Sequence, residues 1–228
     1  MDKKFNFKKI GKTIEQKVKA MFQILMLGDC EVGKTSIIKR ILNDEFSESY
    51  NKTNSFEFFW NNFELENEIY TLQIWDITGK ENFNLISENF YKKCKCAFLV
   101  YSIDNKNSLI HLKERLKVFR NYSLPNTILF LIGNKSDNSG KRETSYGDGI
   151  KFKMENNLNF FFEISAKTGE GISEIIEIVL NTLINNFDEN NDNQSDLNVK
   201  LIQSHNSTKD NINSEHSRKS YCFHICGC

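Results

Sequence analysis

One short stretch, residues 28–35, most constrains what this chain can fold into. It reads Gly-Asp-Cys-Glu-Val-Gly-Lys-Thr and fits the pattern Gly-x-x-x-x-Gly-Lys-[Ser/Thr]. An apolar run of strand length, 22–27, precedes it, and an amphipathic helical pattern, 35–42, follows it. A strand, this loop and a helix in that order predict a phosphate-binding loop. The alternative interpretation is a plain glycine turn between a strand and a helix.

The residue types in this loop indicate its chemistry. Glycines at 28 and 33 permit a tight turn that points backbone N–H groups at an anion, beside the positive N-terminus of the helix. We expect Lys34 to contact the β- and γ-phosphates and the Thr35 hydroxyl to bind Mg²⁺. The predicted nucleotide-binding residues of this segment are Asp29, Cys30, Glu31, Val32, Gly33, Lys34, Thr35 and Ser36.

Strand and helix patterns alternate from residue 21 to residue 187. The predicted strands are 22–27, 55–63, 69–75, 96–101, 127–132 and 159–164, and the main helices are 35–42, 108–120, 144–156 and 172–187. This alternation predicts an α/β domain with a doubly wound, mostly parallel six-stranded sheet and helices on both faces. Ligands of such sheets bind at the carboxyl ends of the strands.

Both ends of the chain differ in composition from this domain. Residues 1–20 carry seven lysines, and their apolar residues recur at helical spacing: Phe7, Ile10, Ile14 and Val18. They predict an amphipathic helix on an anionic membrane surface, a disordered leader, or a helix packed on the domain. Residues 188–217 are rich in Asn, Asp, Ser and Gln, so we expect 188–228 to form a flexible tail.

The overall charge and the cysteines exclude several classes of protein. The 30 basic and 30 acidic residues cancel, so no net field favours a nucleic-acid partner. The chain has no apolar run of about 18 residues and no secretory signal, so we expect a cytosolic protein or one attached to a membrane by other means. Three of the six cysteines lie in the domain and three at the C-terminus, which does not indicate a disulfide framework.

A second motif lies where the predicted strand 69–75 ends. The sequence Asp-Ile-Thr-Gly at 76–79 places a carboxylate and a glycine at the carboxyl end of that strand. Asp76 can hold Mg²⁺ opposite Thr35, and the backbone N–H of Gly79 can approach a γ-phosphate. The motif therefore predicts a metal site beside the phosphate loop.

Two further motifs follow the predicted strands 127–132 and 159–164. Asn-Lys-Ser-Asp occupies 134–137 and Ser-Ala-Lys occupies 165–167. Together with the phosphate loop, these motifs resemble those of the small GTPases of the Ras superfamily. Taken singly, each motif has a plainer interpretation, a solvated turn or a helix cap.

The resemblance implies how the base is selected. Asp137 would accept hydrogen bonds from N1 and the 2-amino group of guanine, which adenine cannot match, and the Ala166 N–H would meet guanine O6. A buried charged acceptor left unpaired costs several kcal/mol, which excludes ATP. The resemblance implies GTP or GDP with Mg²⁺ as ligands, and it assigns the guanine side to Phe46, Asn134, Lys135, Asp137, Ser165, Ala166 and Lys167.

Within the superfamily the chain is most similar to Rab proteins. The segment Trp-Asp-Ile-Thr-Gly-Lys-Glu at 75–81 resembles their Trp-Asp-Thr-Ala-Gly-Gln-Glu, and Phe58, Trp75 and Phe90 match the aromatic triad that Rab effectors contact. The resemblance implies a monomer that works with a Rab-type exchange factor, activating protein, effectors and a GDP-dissociation inhibitor or escort protein.

The chain ends in Cys-Gly-Cys at 226–228, which resembles the Cys-x-Cys ending of many Rabs. The resemblance implies geranylgeranylation of Cys226 and Cys228, hence a switch in vesicular traffic on the cytoplasmic face of an intracellular membrane, with a cytosolic pool. A C-a-a-X box would need cysteine at position 225, which is Ile225. Inert or metal-binding cysteines are the alternative.

The chain departs from the family at the residues that govern hydrolysis. Lys80 replaces the glutamine that orients the attacking water, and lysine cannot accept a hydrogen bond from that water. Thr53 matches the second Mg²⁺-binding threonine, but the glycine that usually follows nearby is missing. The catalytic set is thus Lys34, Thr53, Gly79 and Lys80. Two interpretations follow: a slow cycling switch, or a permanently GTP-loaded scaffold that recruits effectors.

Two positions inside the phosphate loop also differ from the usual small residues. Many Rabs carry serine where Cys30 stands, which is a mild change. Glu31 places a carboxylate beside a triphosphate, and because like charges repel, we expect its side chain to turn to solvent.

Overall fold

The computed structural model describes residues 7–11, 17–48, 57–77 and 88–190. Within them seven strands form one sheet in the order β1-β3-β4-β2-β5-β6-β7. The strands are β1 Lys8–Gly11, β2 Val18–Leu27, β3 Glu57–Leu65, β4 Glu68–Asp76, β5 Cys96–Ser102, β6 Ile128–Asn134 and β7 Phe160–Glu163. The helices are α1 Lys34–Asn43, α2 Glu88–Lys93, α3 Lys106–Tyr122, α4 Tyr146–Glu155 and α5 Ile172–Asn190. The first compact unit of the chain ends at Asp188 and contains the whole sheet.

Helices cover the sheet on both faces, as the alternating pattern predicts. Ile24 and Met26 of β2 pack in a core cluster with residues of α1 and α5, whereas Leu25 and Leu27 pack in a second cluster with residues of α3. Successive side chains of a strand point to opposite faces, so each face of β2 meets its own helical layer. The doubly wound α/β fold is confirmed.

The sheet has seven strands rather than the predicted six, because the N-terminal segment adds one. β1 pairs antiparallel with β3, with Lys8 opposite Glu64, and Phe7 packs against the cluster of α1 and α5. None of the three interpretations left open for residues 1–20 included this strand at 8–11: Gly11 disfavours a helix, and β3 offers an edge for pairing. Val18 belongs to β2, which begins before the predicted residue 22, and residues 12–16 lie outside the described part.

Two shorter features also differ from the predictions. Helix α2 was not predicted, since six residues are too few for a clear helical periodicity. Strand β6 ends at Asn134 rather than at 132, so Asn134 lies on the sheet itself. None of the helices in the described part of the chain is long and apolar enough to cross a membrane.

The parallel strands bring the predicted motifs to one edge of the sheet. β2, which leads into the phosphate loop, pairs with β4, and Met26 lies opposite Asp76. β5 pairs in parallel with β6, and Ser102 lies opposite Asn134. The carboxyl ends of β2, β4 and β6 therefore meet, as expected for the ligand edge of a doubly wound sheet.

Candidate functional site

The phosphate loop depends on its two glycines for close backbone approach. A Cβ at Gly28 would lie 2.3 Å from the carbonyl oxygen of Val100, and one at Gly33 would lie 2.2 Å from Nδ2 of Asn134. Gly33 also has a φ of +96°, which residues with a side chain rarely adopt. The loop can therefore lie this close to β5 and β6 only with glycine at both positions.

Lys34 folds its side chain back along the loop. Its ammonium group donates hydrogen bonds to the carbonyl oxygens of Gly28, at 3.0 Å, and of Asp29, at 2.7 Å. Burial lowers the pKa of Lys34, and the nearby Asp76 carboxylate opposes that shift. The Lys34 ammonium group is thereby held inside the loop, where it can contact phosphate oxygens.

Thr35 and Asp76 contact each other as the predicted metal pair. The Thr35 hydroxyl donates a hydrogen bond to Oδ2 of Asp76, which is 1% exposed at the end of β4. Burial raises the pKa of Asp76, while the Thr35 hydrogen bond and the Lys34 charge lower it. The second oxygen, Oδ1, is buried without a hydrogen-bond partner among the described residues. A buried carboxylate oxygen that lacks a proton donor, beside a hydroxyl, fits a hard cation such as Mg²⁺.

Asn134 joins the phosphate loop to the guanine-side loops. Its Nδ2 donates to the carbonyl oxygen of Val32 at 2.8 Å, and its Oδ1 accepts from the backbone N–H of Ala166 at 3.0 Å. The Ser165 hydroxyl donates to Oδ1 of Asp137 at 2.6 Å. Asn134, Ser165 and Ala166 are buried. The three motifs, far apart in sequence, form one connected site.

Two residues that sequence analysis missed, Asp104 and Arg40, hold the guanine-side loops. Asp104, after β5, accepts from Nζ of Lys135 at 3.4 Å and from Nδ2 of Asn138 at 3.0 Å. Burial alone would raise the pKa of Asp104, but hydrogen bonds from Ser102 and Asn138 and the Lys135 charge lower it. The ionised form of Asp104 is therefore favoured beside Lys135.

Arg40 of α1 supports the segment Ser-Ala-Lys from the other side. Its Nε donates to the carbonyl oxygen of Ala166 at 3.0 Å and its Nη2 to that of Lys167 at 2.7 Å. The Lys167 ammonium also lies 3.2 Å from Glu48. No sequence motif marks Arg40 or Asp104, because their partners are distant in the chain.

The remaining predicted nucleotide-binding residues differ in their burial and contacts. Glu31 is exposed, as predicted, and Cys30 is a half-buried free thiol. Ser36 lies in the first turn of α1. Phe46 packs against the core cluster of α1 and α5. The carboxylate of Asp29 is directed to α3, so its backbone is the part that lines the loop.

Several predicted residues lie outside the described part of the chain. They are the switch residues Thr53, Gly79 and Lys80 and the cysteines Cys226 and Cys228.

The aromatic triad is assembled on the surface beside the site. The ring centroids of Phe58 and Trp75 are 4.6 Å apart, and those of Trp75 and Phe90 are 4.8 Å apart. Phe58 is 43% exposed, so the triad presents an aromatic surface to solvent.

Comparisons with known proteins identify the family. A family model described as "Ras family" matches residues 23–185. The rat (Rattus norvegicus) and mouse (Mus musculus) proteins named Ras-related protein Rab-19 are each 26% identical over 178 residues, which is 78% of this chain and 82% of each relative. Because the family model matches more than half of the chain, this chain belongs to the Ras family and is a Rab-like small GTPase.

Proposed function

We propose that this GTPase is a slow guanine-nucleotide switch attached to the cytoplasmic face of an intracellular membrane, where it acts in vesicular traffic. The observation that carries the nucleotide assignment is the bridge made by Asn134. It connects Val32 of the phosphate loop with Ala166, while Ser165 holds the carboxylate of Asp137. Because this bridge joins the loop proposed for the phosphates to the loops proposed for guanine, it supports binding of GTP and GDP.

Each group at the site has a role that follows from its chemistry. Backbone N–H groups of 29–35 and the N-terminus of α1 bind the phosphates, and Lys34 supplies a positive charge. Thr35 and Asp76 are the described residues that would hold Mg²⁺, with Thr53 as the third proposed ligand. When bound, Mg²⁺ neutralises charge on the phosphate oxygens. Asp137 selects guanine, whereas the Ala166 N–H, expected from the resemblance to meet guanine O6, donates to Oδ1 of Asn134 and holds the segment 165–167 in place.

The slow rate is proposed from Lys80. A lysine in place of the water-orienting glutamine has only donors, so it cannot accept a hydrogen bond from the attacking water. A Rab-type activating protein would supply an arginine and often a glutamine as well. The switch segments 44–60 and 77–93 are proposed to order around the γ-phosphate and to present the triad of Phe58, Trp75 and Phe90 to effectors.

A single-turnover assay of GTP hydrolysis, with and without a Rab-type activating protein, tests the cycling switch. We expect slow intrinsic hydrolysis, faster hydrolysis with the activating protein, and a faster intrinsic rate in Lys80→Gln. Lys80→Ala is the matched control, since it removes the lysine without supplying an acceptor. If neither the activating protein nor Lys80→Gln produces hydrolysis, the cycling function is wrong.

The second candidate is a scaffold that stays loaded with GTP and recruits effectors without turnover. Lys80 and the segment Thr-Asn-Ser-Phe-Glu-Phe at 53–58, which lacks the family's glycine, favour it. Thr35, Thr53, Asp76 and Gly79 favour cycling, because all are retained. The nucleotide bound to protein purified from its own cells separates the two: the scaffold predicts GTP alone, and the switch predicts GDP as well.

Membrane attachment is proposed to depend on geranylgeranyl groups at Cys226 and Cys228. Two lipid chains anchor stably where one chain is marginal. Replacing both cysteines by serine should move the protein to the soluble fraction, whereas Cys222→Ser, in the same tail, should not. Membrane association that persists in the double variant would contradict lipid anchoring and point to the basic N-terminus.

The proposed partners follow from this cycle. An exchange factor would load GTP, an activating protein would end the active state, and effectors would read the GTP form. A GDP-dissociation inhibitor or escort protein would cover the lipid groups and maintain the cytosolic pool of a monomeric protein.

A further inference from the structure

The phosphate loop is tied to helix α3 by a charged cluster. Oδ1 of Asp29 accepts hydrogen bonds from Nε of Arg115 at 3.1 Å and from Nη2 of Arg115 at 2.8 Å. Oδ2 of Asp29 lies 2.6 Å from Nδ1 of His111. Each oxygen of this carboxylate thus has its own partner on α3.

Arg115 and Asp29 are largely buried in this cluster, whereas His111 is exposed. The Arg115 side chain is 8% exposed and that of Asp29 is 19% exposed, while His111 at the rim is 58% exposed. His111 and Arg115 are four residues apart, so they lie on one face of α3. A largely buried ion pair that uses two guanidinium nitrogens fixes the orientation of both partners, and removing one partner leaves an uncompensated charge.

Asp29 transmits this contact to the phosphate-binding lysine. Its carboxylate is bound to α3, while its backbone carbonyl accepts a hydrogen bond from Nζ of Lys34 at 2.7 Å. Arg115 and Asp29 also act electrostatically on Lys34, with opposite signs, which places both charges near the ammonium group. The position of the loop carbonyl that holds Lys34 therefore depends on the contact with α3.

We propose that Arg115, assisted by His111, is a positioning residue for the phosphate loop. It fixes Asp29, and through Asp29 the backbone that presents Lys34 and the loop N–H groups to the nucleotide phosphates. Helix α3 thereby sets how long the nucleotide is retained. This inference rests on the proposed binding of guanine nucleotides at the same site.

The test is the dissociation rate of a fluorescent GDP analogue from the full chain, chased with excess GDP at constant Mg²⁺. Arg115→Lys keeps the charge but loses the planar fork, and Asp29→Asn keeps the shape but loses the charge. Each should speed dissociation about tenfold or more, as expected for loss of a charge-assisted contact. The double variant should be little faster than either single variant, because both remove one interaction.

The matched control is Arg120→Ala on the same helix. Arg120 donates to the backbone carbonyl of Asn156, away from the phosphate loop. The rate at which Arg120→Ala releases the GDP analogue should stay within about twofold of the native rate, as expected for substitution of an exposed side chain. Phosphorus NMR of bound GDP adds a readout that general destabilisation does not move: the β-phosphate resonance should shift in Arg115→Lys and not in Arg120→Ala.

The outcomes separate the two levels of the proposal. If the native chain retains no guanine nucleotide, the proposed function fails. If it binds GDP but Arg115→Lys and Asp29→Asn dissociate at the native rate with an unshifted β-phosphate resonance, the positioning role is wrong and the nucleotide site stands. If Arg115→Lys does not fold, Asp29→Asn decides the question alone.

Discussion

Replacing Asn134 with alanine should disconnect the phosphate loop from the guanine-side loop. Asn134 is 2% exposed, and its carboxamide makes two buried hydrogen bonds, one to the Val32 carbonyl and one from the Ala166 N–H. Alanine leaves both backbone groups buried without these partners, at about 1–3 kcal/mol each, hence about 2–6 kcal/mol together. Because about 1.4 kcal/mol is a tenfold change, we expect affinity for GDP to fall about 30-fold or more if the loss acts on the bound state.

Dissociation of a fluorescent GDP analogue measures this effect, and urea unfolding at saturating GDP measures what part falls on the fold itself. Asn156→Ala is the control: its amide, which is part-buried, also donates to a backbone carbonyl, that of Phe152 at 2.8 Å, at the end of α4. Asn156→Ala should change stability without changing GDP dissociation. If Asn134→Ala releases GDP at the native rate, the bridge between the loops is not what holds the nucleotide.

Three further perturbations test other parts of the site. Burial raises the pKa of Asp76 in the folded protein above its ordinary value of 3.8. Ionised Asp76 therefore destabilises the nucleotide-free fold at neutral pH, and this destabilisation is lost as the pH falls through the raised pKa. Asp76→Asn should therefore flatten the pH dependence of urea unfolding and remove the Mg²⁺ dependence of GDP retention. Gly28→Ala should abolish GDP binding, since its Cβ would lie 2.3 Å from Val100 O, whereas Gly140→Ala, with nothing within 4 Å, should bind normally in the same fluorescence assay. Phe58→Ala should bind less effector in a pull-down, while its rate of GDP dissociation stays native. The loss of the aromatic contact with Trp75 should lower the free energy of unfolding by about 0.5–1.5 kcal/mol, in addition to the loss from the buried area.

The sequence was sufficient to predict the parts of the site that have a local pattern. The phosphate loop needs glycine at fixed positions, so 28–35 could be identified before any contact was known. Asp76 and Asn134 could be placed because each follows an apolar strand, and the ends of parallel strands meet at one edge of a sheet. Strand and helix periodicity then predicted the doubly wound fold.

The supporting contacts could not be predicted, because they join residues that no short pattern connects. Arg40 binds carbonyls of the segment 165–167, and Asp104 binds Lys135, through side chains whose partners are set by the tertiary fold. In the sequence, nothing distinguishes Arg115 from the other charged residues of the predicted helix 108–120. Only packing of α3 beside the phosphate loop turns it into a buried partner of Asp29. Long-range polar contacts are therefore what the structure adds to the motifs.

The N-terminal segment shows the same limit and gives a final prediction. Apolar residues at helical spacing left a membrane-bound helix, a packed helix or a disordered leader open, yet β1 pairs with β3, and Phe7 packs against the core cluster of α1 and α5. Burial lowers the pKa of Lys9, and the Asp44 and Glu45 charges oppose the shift, so this strand also lies near the end of α1. Residues 7–11 are thus part of the domain rather than of a free leader.

Phe7→Ala should lower the free energy of unfolding in urea by about 1–2 kcal/mol, because a partly buried phenylalanine contributes somewhat less than the 1.5–3 kcal/mol of full burial. The control is Lys8→Ala, whose side chain is exposed and should change stability by about 0.5 kcal/mol or less. Binding to anionic vesicles should be the same for both variants, since a strand paired at the sheet edge does not present the apolar face of a helix. If Phe7→Ala leaves unfolding unchanged but abolishes vesicle binding, the amphipathic helix on the membrane is the correct interpretation and the pairing with β3 is not what holds this segment.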